Sequence, residues 1–184
     1  MTELEKMLAS QLYDASDPEL TEMRHWSREM QALYNKSSSR DIEGRKALLE
    51  QWFGEVVGRI DIQPPFFCDY GKFIFAEDNV FMNFNCVILD VNPVRIGANT
   101  MFGPNVQVYT AYHPLQANER IKGPELGAPV SIGKNCWIGG GVIICQGVTI
   151  GDNTTIGAGS VVTKDIPANV FAAGIPCKVI KTID

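Results

Sequence analysis

The chain has 184 residues, of which 45% are hydrophobic and 20% are charged, a composition typical of a soluble globular protein with one domain. Its net charge of −5 gives no overall basic field for nucleic acid, and no apolar run approaches the roughly 18 residues that a membrane span requires. The five cysteines lack paired metal-ligand spacing and the acidic amino terminus lacks a signal peptide's basic start, so we expect reduced thiols in a cytoplasmic protein.

Residues 1–58 have the apolar spacing of helices, and we expect them to form a helical segment that caps the rest of the fold. Asp17 and Pro18 indicate a helix start, because aspartate is a preferred N-cap and proline fits the first helical position. Asp41 is expected to cap a further helix, in which apolar side chains recur every three to four residues. His25 lies in this region without a set of metal ligands, so we interpret it as a surface or packing residue.

A six-residue repeat predicts the fold of residues 71–167. An aliphatic residue, usually followed by glycine, opens each hexad. The clearest run of opening residues is Ile132, Ile138, Ile144, Ile150, Ile156 and Val162. Such a repeat is typical of a parallel β-helix, in which each hexad forms a short strand and a turn, three hexads form one coil, and the coils stack at roughly 4.8 Å.

The repeat extends upstream in two further runs, which are separated by a four-residue slip. The opening residues of these runs are Ile74, Val80 and Cys86, and then Ile96, Phe102 and Val108. Residues 59–70 precede the repeat and are predicted to form a connecting segment, because the two prolines within it favour an extended path. Residues 168–184 follow it as a turn and a short strand.

Residues 109–130 are predicted to form a loop that leaves the β-helix and returns in register. Val108 and Ile132 are separated by a whole number of hexads, yet the residues between them do not have the repeat pattern. Long loops in compact repeat folds are usually functional. This loop contains His113, whose imidazole can take a proton from a hydroxyl group near neutral pH.

Two other chemistries are disfavoured by the residues available. A zinc site of the kind found in β-helical carbonic anhydrases needs three histidines, and the chain has two. A covalent enzyme needs a nucleophile paired with a base, and neither a cysteine nor a serine stands in a recognisable motif. We therefore expect no metal, and direct transfer of a group between two bound substrates.

Motifs over nearly the whole chain resemble those of hexapeptide-repeat O-acetyltransferases of the maltose and galactoside acetyltransferase family. The combination of Asn83-Phe84-Asn85 with Tyr112-His113-Pro114 is the most specific of these motifs. Others are Tyr13-Asp14-Ala15-Ser16-Asp17, Phe66-Phe67-Cys68-Asp69-Tyr70, Cys136-Trp137-Ile138-Gly139-Gly140 and Ala173-Gly174-Ile175-Pro176-Cys177. The resemblance implies a left-handed β-helix, a homotrimer, active sites between neighbouring subunits, and acetyl-CoA as the donor.

The resemblance also implies roles for particular residues. His113 matches the catalytic histidine, and Glu125 is a candidate to orient it. Residues expected at the acceptor site are Asn83, Asp69, Phe81 and Asp17. Residues expected at the donor site are Trp137, Gly140, Ala158, Thr163, Lys164, Lys178 and Lys181. The lysines would provide the local cations that the phosphates of CoA require in an acidic protein.

The expected function is therefore acetyl-CoA-dependent O-acetyl transfer to a sugar hydroxyl, such as that of maltose, glucose or a galactoside. His113 would remove the hydroxyl proton as the oxygen attacks the thioester carbonyl, and a backbone N–H near Gly140 would stabilise the oxyanion. Two alternatives remain at this stage. One is acetyl transfer to an amino sugar, an antibiotic or a nucleotide sugar, and the other is a noncatalytic β-helix that serves as a scaffold subunit.

Overall fold

The computed structural model describes residues 1–183. Within them the chain forms four helices, namely α1 (Glu3–Leu8), α2 (Pro18–Asn35), α3 (Ile42–Trp52) and α4 (Ala117–Arg120). The strands are β1 (Glu55–Val56), β2 (Ile60–Ile62), β3 (Phe66–Cys68), β4 (Ile74–Ala76), β5 (Val80–Met82), β6 (Cys86–Leu89), β7 (Val94–Ile96), β8 (Met101–Phe102), β9 (Gln107–Tyr109), β10 (Ala111–Tyr112), β11 (Leu126–Gly127), β12 (Val130–Ile132), β13 (Trp137–Ile138), β14 (Ile143–Ile144), β15 (Thr149–Ile150), β16 (Thr155–Ile156), β17 (Val161–Val162), β18 (Val170–Ala173) and β19 (Lys178–Thr182). None of the helices in this part of the chain has the length and apolar character needed to cross a membrane.

Three sheets form the faces of a prism, and the chain passes from one to the next in turn. The first face has the order β1-β4-β7-β12-β15, the second β2-β5-β8-β13-β16-β18-β19, and the third β3-β6-β9-β14-β17. Neighbouring strands within the faces are parallel, except that β18 and β19 are antiparallel. The three sheets therefore form the parallel β-helix that the hexad repeat predicts.

The spacing of paired residues shows where the loop leaves the prism. Asp61 pairs with Phe81 and Phe81 with Met101, so partners at the amino end are 20 residues apart. Trp137 pairs with Thr155, 18 residues on, but Met101 pairs with Trp137, 36 residues on. The coil between Met101 and Trp137 contains the loop, and its return at β12 restores pairing with β7.

Each strand directs alternate side chains into the prism. In β12, Val130 and Ile132 are buried, whereas Ser131 between them is partly exposed. The inward residues of successive coils stack into one continuous hydrophobic core, which runs from the first coil to Val170 and Cys177. A period of two within each strand thus decides which side chains face the core.

One detail of the predicted repeat was wrong. Cys86 points inward, but within β6 it is Ile88, two residues later, that pairs with Val108. In the same way Ile96 pairs with Ala76 and not with Ile74. The irregularity between Ile88 and Ile96 is therefore two residues rather than four, and the extra residues form a corner around the buried Asp90.

The β-helix includes segments that the sequence analysis placed outside it. Residues 59–70 contain β2 and β3, which pair with β5 and β6. Both strands have the buried-exposed-buried pattern of a rung, and only the absence of glycine hides the repeat. Residues 168–184 likewise contain β18, which stacks in parallel on β16, and only β19 reverses direction.

The amino-terminal helices cover the open end of the first coil. Trp52 lies against Phe53 and Phe66 with ring centroids 5.8 Å apart, and its indole N–H donates to the Ser27 hydroxyl at 3.0 Å. The hydroxyl of Tyr34 donates to the Ile62 carbonyl at 2.6 Å. These contacts join α2 and α3 to the β-helix in one core and protect strand edges that would otherwise invite aggregation, whereas Met7 of α1 belongs to a second, smaller core.

A ladder of asparagines runs along the corner between the first and second faces, here called the ladder corner. In order, its members are Asn79, Asn99, Asn135, Asn153 and Asn169, and all have a φ of 56–62°. Each side-chain Nδ2 donates to the Oδ1 of the next member at 2.8–3.1 Å. Asparagine suits this corner because it tolerates the left-handed conformation and carries both a donor and an acceptor.

Candidate active site

His113 lies in the loop that leaves the prism between the third and first faces, here called the His113 corner. Strands β10 and β11 form an antiparallel pair in which Tyr112 faces Leu126, so the next position in this register places His113 opposite Glu125. His113 is exposed and lines an open cleft of about 360 Å³. The lining residues that bear on its chemistry are Leu12, Tyr112, Gln116, Glu119, Leu126 and Gln146.

Glu125 is fixed by the amino-terminal segment. The backbones of Tyr13 and Glu125 exchange two hydrogen bonds of 3.1 and 3.0 Å, and the Tyr13 hydroxyl donates to the Glu125 carboxylate at 2.8 Å. Burial raises the pKa of Tyr13 well above its usual value, and the hydrogen bond to Glu125 raises it further. Tyr13 therefore stays protonated at neutral pH and remains a donor to the carboxylate opposite His113.

A second and more polar cleft of about 790 Å³ adjoins the first, because Leu12 lines both. Its walls include Tyr13, Asp14, Arg24 and Lys122. Arg24 is oriented by three hydrogen bonds, to the Tyr70 hydroxyl at 2.7 Å, to the Ala15 carbonyl at 2.6 Å and to the Thr21 hydroxyl at 3.2 Å. A polar cleft next to an exposed imidazole is suited to a small molecule with several hydroxyl groups.

Asp17, a predicted acceptor residue, caps α2 as its sequence also predicts. Its Oδ1 accepts the backbone N–H of Glu19 at 2.9 Å and that of Leu20 at 3.4 Å, so it caps α2. The lining of the polar cleft includes Asp14, three positions earlier, but not Asp17. Asp14 and Arg24 were missed, although the segment that contains Asp14 was among the motifs that carried the resemblance.

Asp69 lies on the His113 corner, beside a buried carboxylate that the sequence analysis did not single out. Its carboxylate is 3.4 Å from Arg28 Nη2, and burial raises its pKa while Arg28 opposes the rise. The carboxylate of the fully buried Asp90 accepts the backbone N–H groups of Asp69, Tyr70 and Phe73 at 3.0, 2.9 and 3.2 Å. Burial raises the pKa of Asp90 to about 8, although two of these hydrogen bonds favour its charged form. Asp90 thus holds the backbone that carries Asp69.

Asn83 lies on a different corner, between the second and third faces, here called the Asn83 corner. The stacked turns of this corner are 83–85, 103–105, 139–141 and 157–159. The side-chain Oδ1 of Asn83 accepts the Phe84 N–H at 2.8 Å, while its Nδ2 donates to no atom within residues 1–183. Asn83 therefore shares its corner with Gly140 and Ala158, and it is absent from the lining of the His113 cleft.

The glycines of the Asn83 corner leave room for a ligand. The corner has Asn85 and Asn105 in its first two turns but Gly141 and Gly159 in the next two, all with positive φ. A Cβ added at Gly159 would meet nothing within 4 Å, so packing within the chain does not demand glycine there. At Gly139, by contrast, a Cβ would lie 2.6 Å from the next coil. The open turns can admit an extended chain close to the backbone.

Several predicted donor-site residues lie around these open turns. Trp137 is 55% exposed on the second face, directly before the turn that contains Gly140. The backbone N–H of Gly140 donates to no atom in the described part of the chain. Lys178 and Lys181 are exposed on β19, at the end of the same face.

Thr163 and Lys164 lie elsewhere. Both follow β17 directly and are exposed on the His113 corner, together with Gln146 of the histidine cleft. The third face separates this corner from the Asn83 corner, and its outward side chains are mostly apolar, as Val87, Ile143 and Val161 show. Most of the predicted site residues therefore form two groups on opposite edges of one apolar face, whereas Phe81 lies on β5 of the second face and lines a third cleft. Within residues 1–183 there is no cluster of three or more His, Cys, Asp or Glu that could hold a metal ion.

Family models match both parts of the chain. Residues 6–58 match the maltose acetyltransferase hexapeptide capping motif, and residues 129–164 match six repeats of the bacterial transferase hexapeptide. Nodulation protein L of Rhizobium meliloti is 47% identical over 97% of this chain and 97% of its own length. The galactoside O-acetyltransferase of Escherichia coli K12 is 40% identical over 98% of this chain and 89% of its own length.

Solved structures of three similar proteins match this chain over its whole length. A maltose O-acetyltransferase from Clostridium difficile 630 has a TM-score of 0.99 at 50% identity, covering 100% of this chain and 98% of that one. A galactoside acetyltransferase in complex with coenzyme A has a TM-score of 0.96 at 40% identity, with coverages of 100% and 92%. A hexapeptide-repeat acetyltransferase of Vibrio cholerae complexed with acetyl coenzyme A has a TM-score of 0.93 at 36% identity, with coverages of 100% and 100%.

Proposed function

The chain belongs to the maltose and galactoside O-acetyltransferase family of hexapeptide-repeat acetyltransferases, and from this premise we propose that it transfers an acetyl group from acetyl-CoA to a sugar hydroxyl. Relatives of this family have been solved with coenzyme A and with acetyl coenzyme A. The polar cleft beside His113 supports a polyhydroxyl acceptor, because its walls offer both donors and acceptors, among them Asp14 and Arg24.

The observation that carries this proposal is the division of the site residues between two corners. His113 and Lys164 lie on one edge of the third face, and Asn83 and Gly140 lie on the other. A ligand that contacts both groups must reach them from two copies of the chain, packed so that unlike corners meet. We therefore propose a homotrimer with three such sites, in which the apolar third face is buried by its neighbours.

His113 acts as the general base in this proposal. Its imidazole takes the proton of the acceptor hydroxyl while that oxygen attacks the thioester carbonyl carbon, forming the new C–O bond. The tetrahedral intermediate then collapses, the C–S bond breaks, and the imidazolium returns the proton to the leaving thiolate. Glu125, held by Tyr13, lies opposite His113 in the hairpin register, which suits it to orient the ring.

The open turns of the Asn83 corner are the proposed path of the donor. Gly141 and Gly159 let the pantetheine arm approach the backbone, and Trp137 flanks it. The free N–H of Gly140 is positioned to donate to the oxyanion of the intermediate. Asn83 is two coils below Gly139, or roughly 10 Å at ordinary strand spacing, so donor and acceptor can meet along one corner.

An assay of thiol release tests the proposal. The full chain is incubated with acetyl-CoA and a panel of maltose, glucosides, galactosides and amino sugars, and the free CoA is measured. Turnover with a neutral sugar, giving an ester that hydroxylamine cleaves, is the expected result. Turnover confined to amino sugars, with a product that hydroxylamine does not cleave, would mean that the acceptor is an amine. Hydrolysis of acetyl-CoA without transfer, or no release of CoA with any acceptor, would contradict the proposal.

A further inference from the structure

We propose that the chain has a second ligand site, for a phosphorylated small molecule, in the cleft between α3 and the first coil. This cleft, here called the Arg45 cleft, has a volume of about 490 Å³. Its walls carry three cations, Arg45, Lys46 and Arg59, and one carboxylate, Asp61. Such a local excess of positive charge stands out in a chain whose net charge is −5.

Arg45 provides the central observation. Only 6% of the residue is exposed, and its Nη2 donates to the Ile62 carbonyl and to the Tyr34 hydroxyl, the latter at 3.4 Å. Its buried Nε has no hydrogen-bond partner within residues 1–183, and no carboxylate in that range lies within 4.0 Å of the guanidinium. A buried charge without a counter-charge is costly, so an anion in the cleft would offset a penalty that the chain alone leaves in place.

The other two cations are positioned at the mouth of the cleft. Lys46 Nζ is 3.2 Å from Glu50 on the same helix, and Arg59 donates through Nε to the Asn79 amide oxygen at 3.1 Å. Both contacts are made at the surface, where an ion pair is weak and easily exchanged. Asp61 is occupied in part by Gln63, whose Nε2 donates to both carboxylate oxygens at 2.9 and 3.0 Å.

The shape of the cleft favours a small phosphorylated molecule over a free ion. Its remaining wall is largely apolar and includes Leu49, Ile60 and Val80. A phosphate group fits arginine and lysine donors, and an apolar wall can hold the organic part of the same molecule. The cleft shares no lining residue with the two clefts near His113, and of the residues predicted for acetyl transfer only Phe81 lies in its wall.

Titration of the full chain with inorganic phosphate, glucose 6-phosphate and glucose tests the site, with heats measured by calorimetry. We expect glucose 6-phosphate to bind more tightly than phosphate, and glucose not to bind. The variant Lys46→Gln/Arg59→Gln should weaken both phosphate ligands at least tenfold. The matched control is Lys36→Gln/Arg40→Gln, which removes the same two charges at exposed positions outside the cleft and should bind as the parent does.

These surface substitutions leave Arg45 and its contacts with the first coil intact, and thermal denaturation should show the same melting temperature for all three proteins. Equal weakening in the cleft variant and in the control would mean that only net charge matters, and would overturn the proposal. So would binding that saturating coenzyme A abolishes, because the phosphate would then occupy the donor site. Binding of an acidic peptide without binding of glucose 6-phosphate would also overturn it, in favour of a protein segment as the occupant.

Discussion

The hydroxyl of Tyr13 donates a 2.8 Å hydrogen bond to the carboxylate of Glu125, although 112 residues separate them in the chain. This bond, with the two backbone hydrogen bonds beside it, ties the loop of His113 to the segment that precedes α2. The position of the imidazole therefore depends on a part of the chain that lies outside the repeat.

Tyr13→Phe should lower kcat for sugar acetylation about tenfold, with the KM for acetyl-CoA unchanged. The substitution leaves the Glu125 carboxylate without its buried donor, a loss on the order of 1.5 kcal/mol for a hydrogen bond to a charged group. Steady-state kinetics of Tyr13→Phe, Glu125→Gln and the double variant measure the coupling. If the two effects simply add, the hydrogen bond does not act on His113 through Glu125.

His113→Ala should reduce kcat by a factor on the order of 10²–10⁴, the usual cost of losing a general base. The fold should be unaffected, because the residue is exposed and packs against little. Steady-state kinetics with acetyl-CoA and the sugar measure this effect, and a variant that retains the parent's kcat would remove His113 from the chemistry.

Asn83→Ala should lower kcat/KM for the sugar at least tenfold, which is about 1.4 kcal/mol in the free energy of the transition state. Because Asn83 Oδ1 also accepts the Phe84 N–H, the loss of this bond must be separated from the loss of sugar contact. Asn83→Asp keeps the acceptor for Phe84 and replaces the NH₂ donor by a charged carboxylate oxygen. Sugar kinetics that are impaired by Ala and normal with Asp would show that the turn, rather than the acceptor, needs Asn83.

Asn135→Ala should destabilise the protein more than Asn135→Gly does, by about 1 kcal/mol. Both variants lose the two ladder bonds, from Asn99 and to Asn153, but only alanine is strained at a φ of 56°. Urea denaturation compares the free energies of unfolding of the two variants. Equal losses would mean that the left-handed conformation relaxes, and a smaller loss for alanine would contradict the expected strain.

Asp90→Asn should remove a pH dependence of stability. The folded-state pKa of Asp90, at about 8, exceeds its usual value of 3.8, so the folded protein binds a proton that the unfolded chain releases. The contribution of this proton is complete below the usual value and is lost as pH rises through about 8. Denaturation between pH 5 and pH 8 should show falling stability for the parent and a flatter profile for the variant. Parallel profiles would mean that the three N–H donors keep Asp90 ionised.

The sequence predicted the features that local chemistry specifies. The hexads from Ile132 onwards reveal the β-helix because each coil repeats the same side chains and turns, and Asp17 predicts a helix start through the properties of one residue. The first coil was missed because β2 and β3 have the burial pattern without the glycines. Spacing alone also gave a four-residue slip between Cys86 and Ile96, since the two inward positions of a strand lie only two residues apart.

The composition of the site was harder to predict than the fold. His113 could be identified because a histidine in a long loop of a repeat protein is conspicuous. The roles of Tyr13 and Asp90 depend on contacts made after folding, with Glu125 and with the backbone at Asp69. No pattern within a short window of sequence reports such contacts.

The amides of the ladder corner all point the same way, and this gives the prism chemically different ends. The first Oδ1, on Asn79, already accepts from Arg59, whereas the last Nδ2, on Asn169, donates to no atom of residues 1–183. Two prisms could extend the ladder only head to tail, with Asn169 of one meeting Asn79 of the next. Because Arg59 occupies that acceptor and the amino-terminal helices cover the first coil, such growth is blocked at its receiving end. The ladder thus stiffens the prism without offering a template for a fibre.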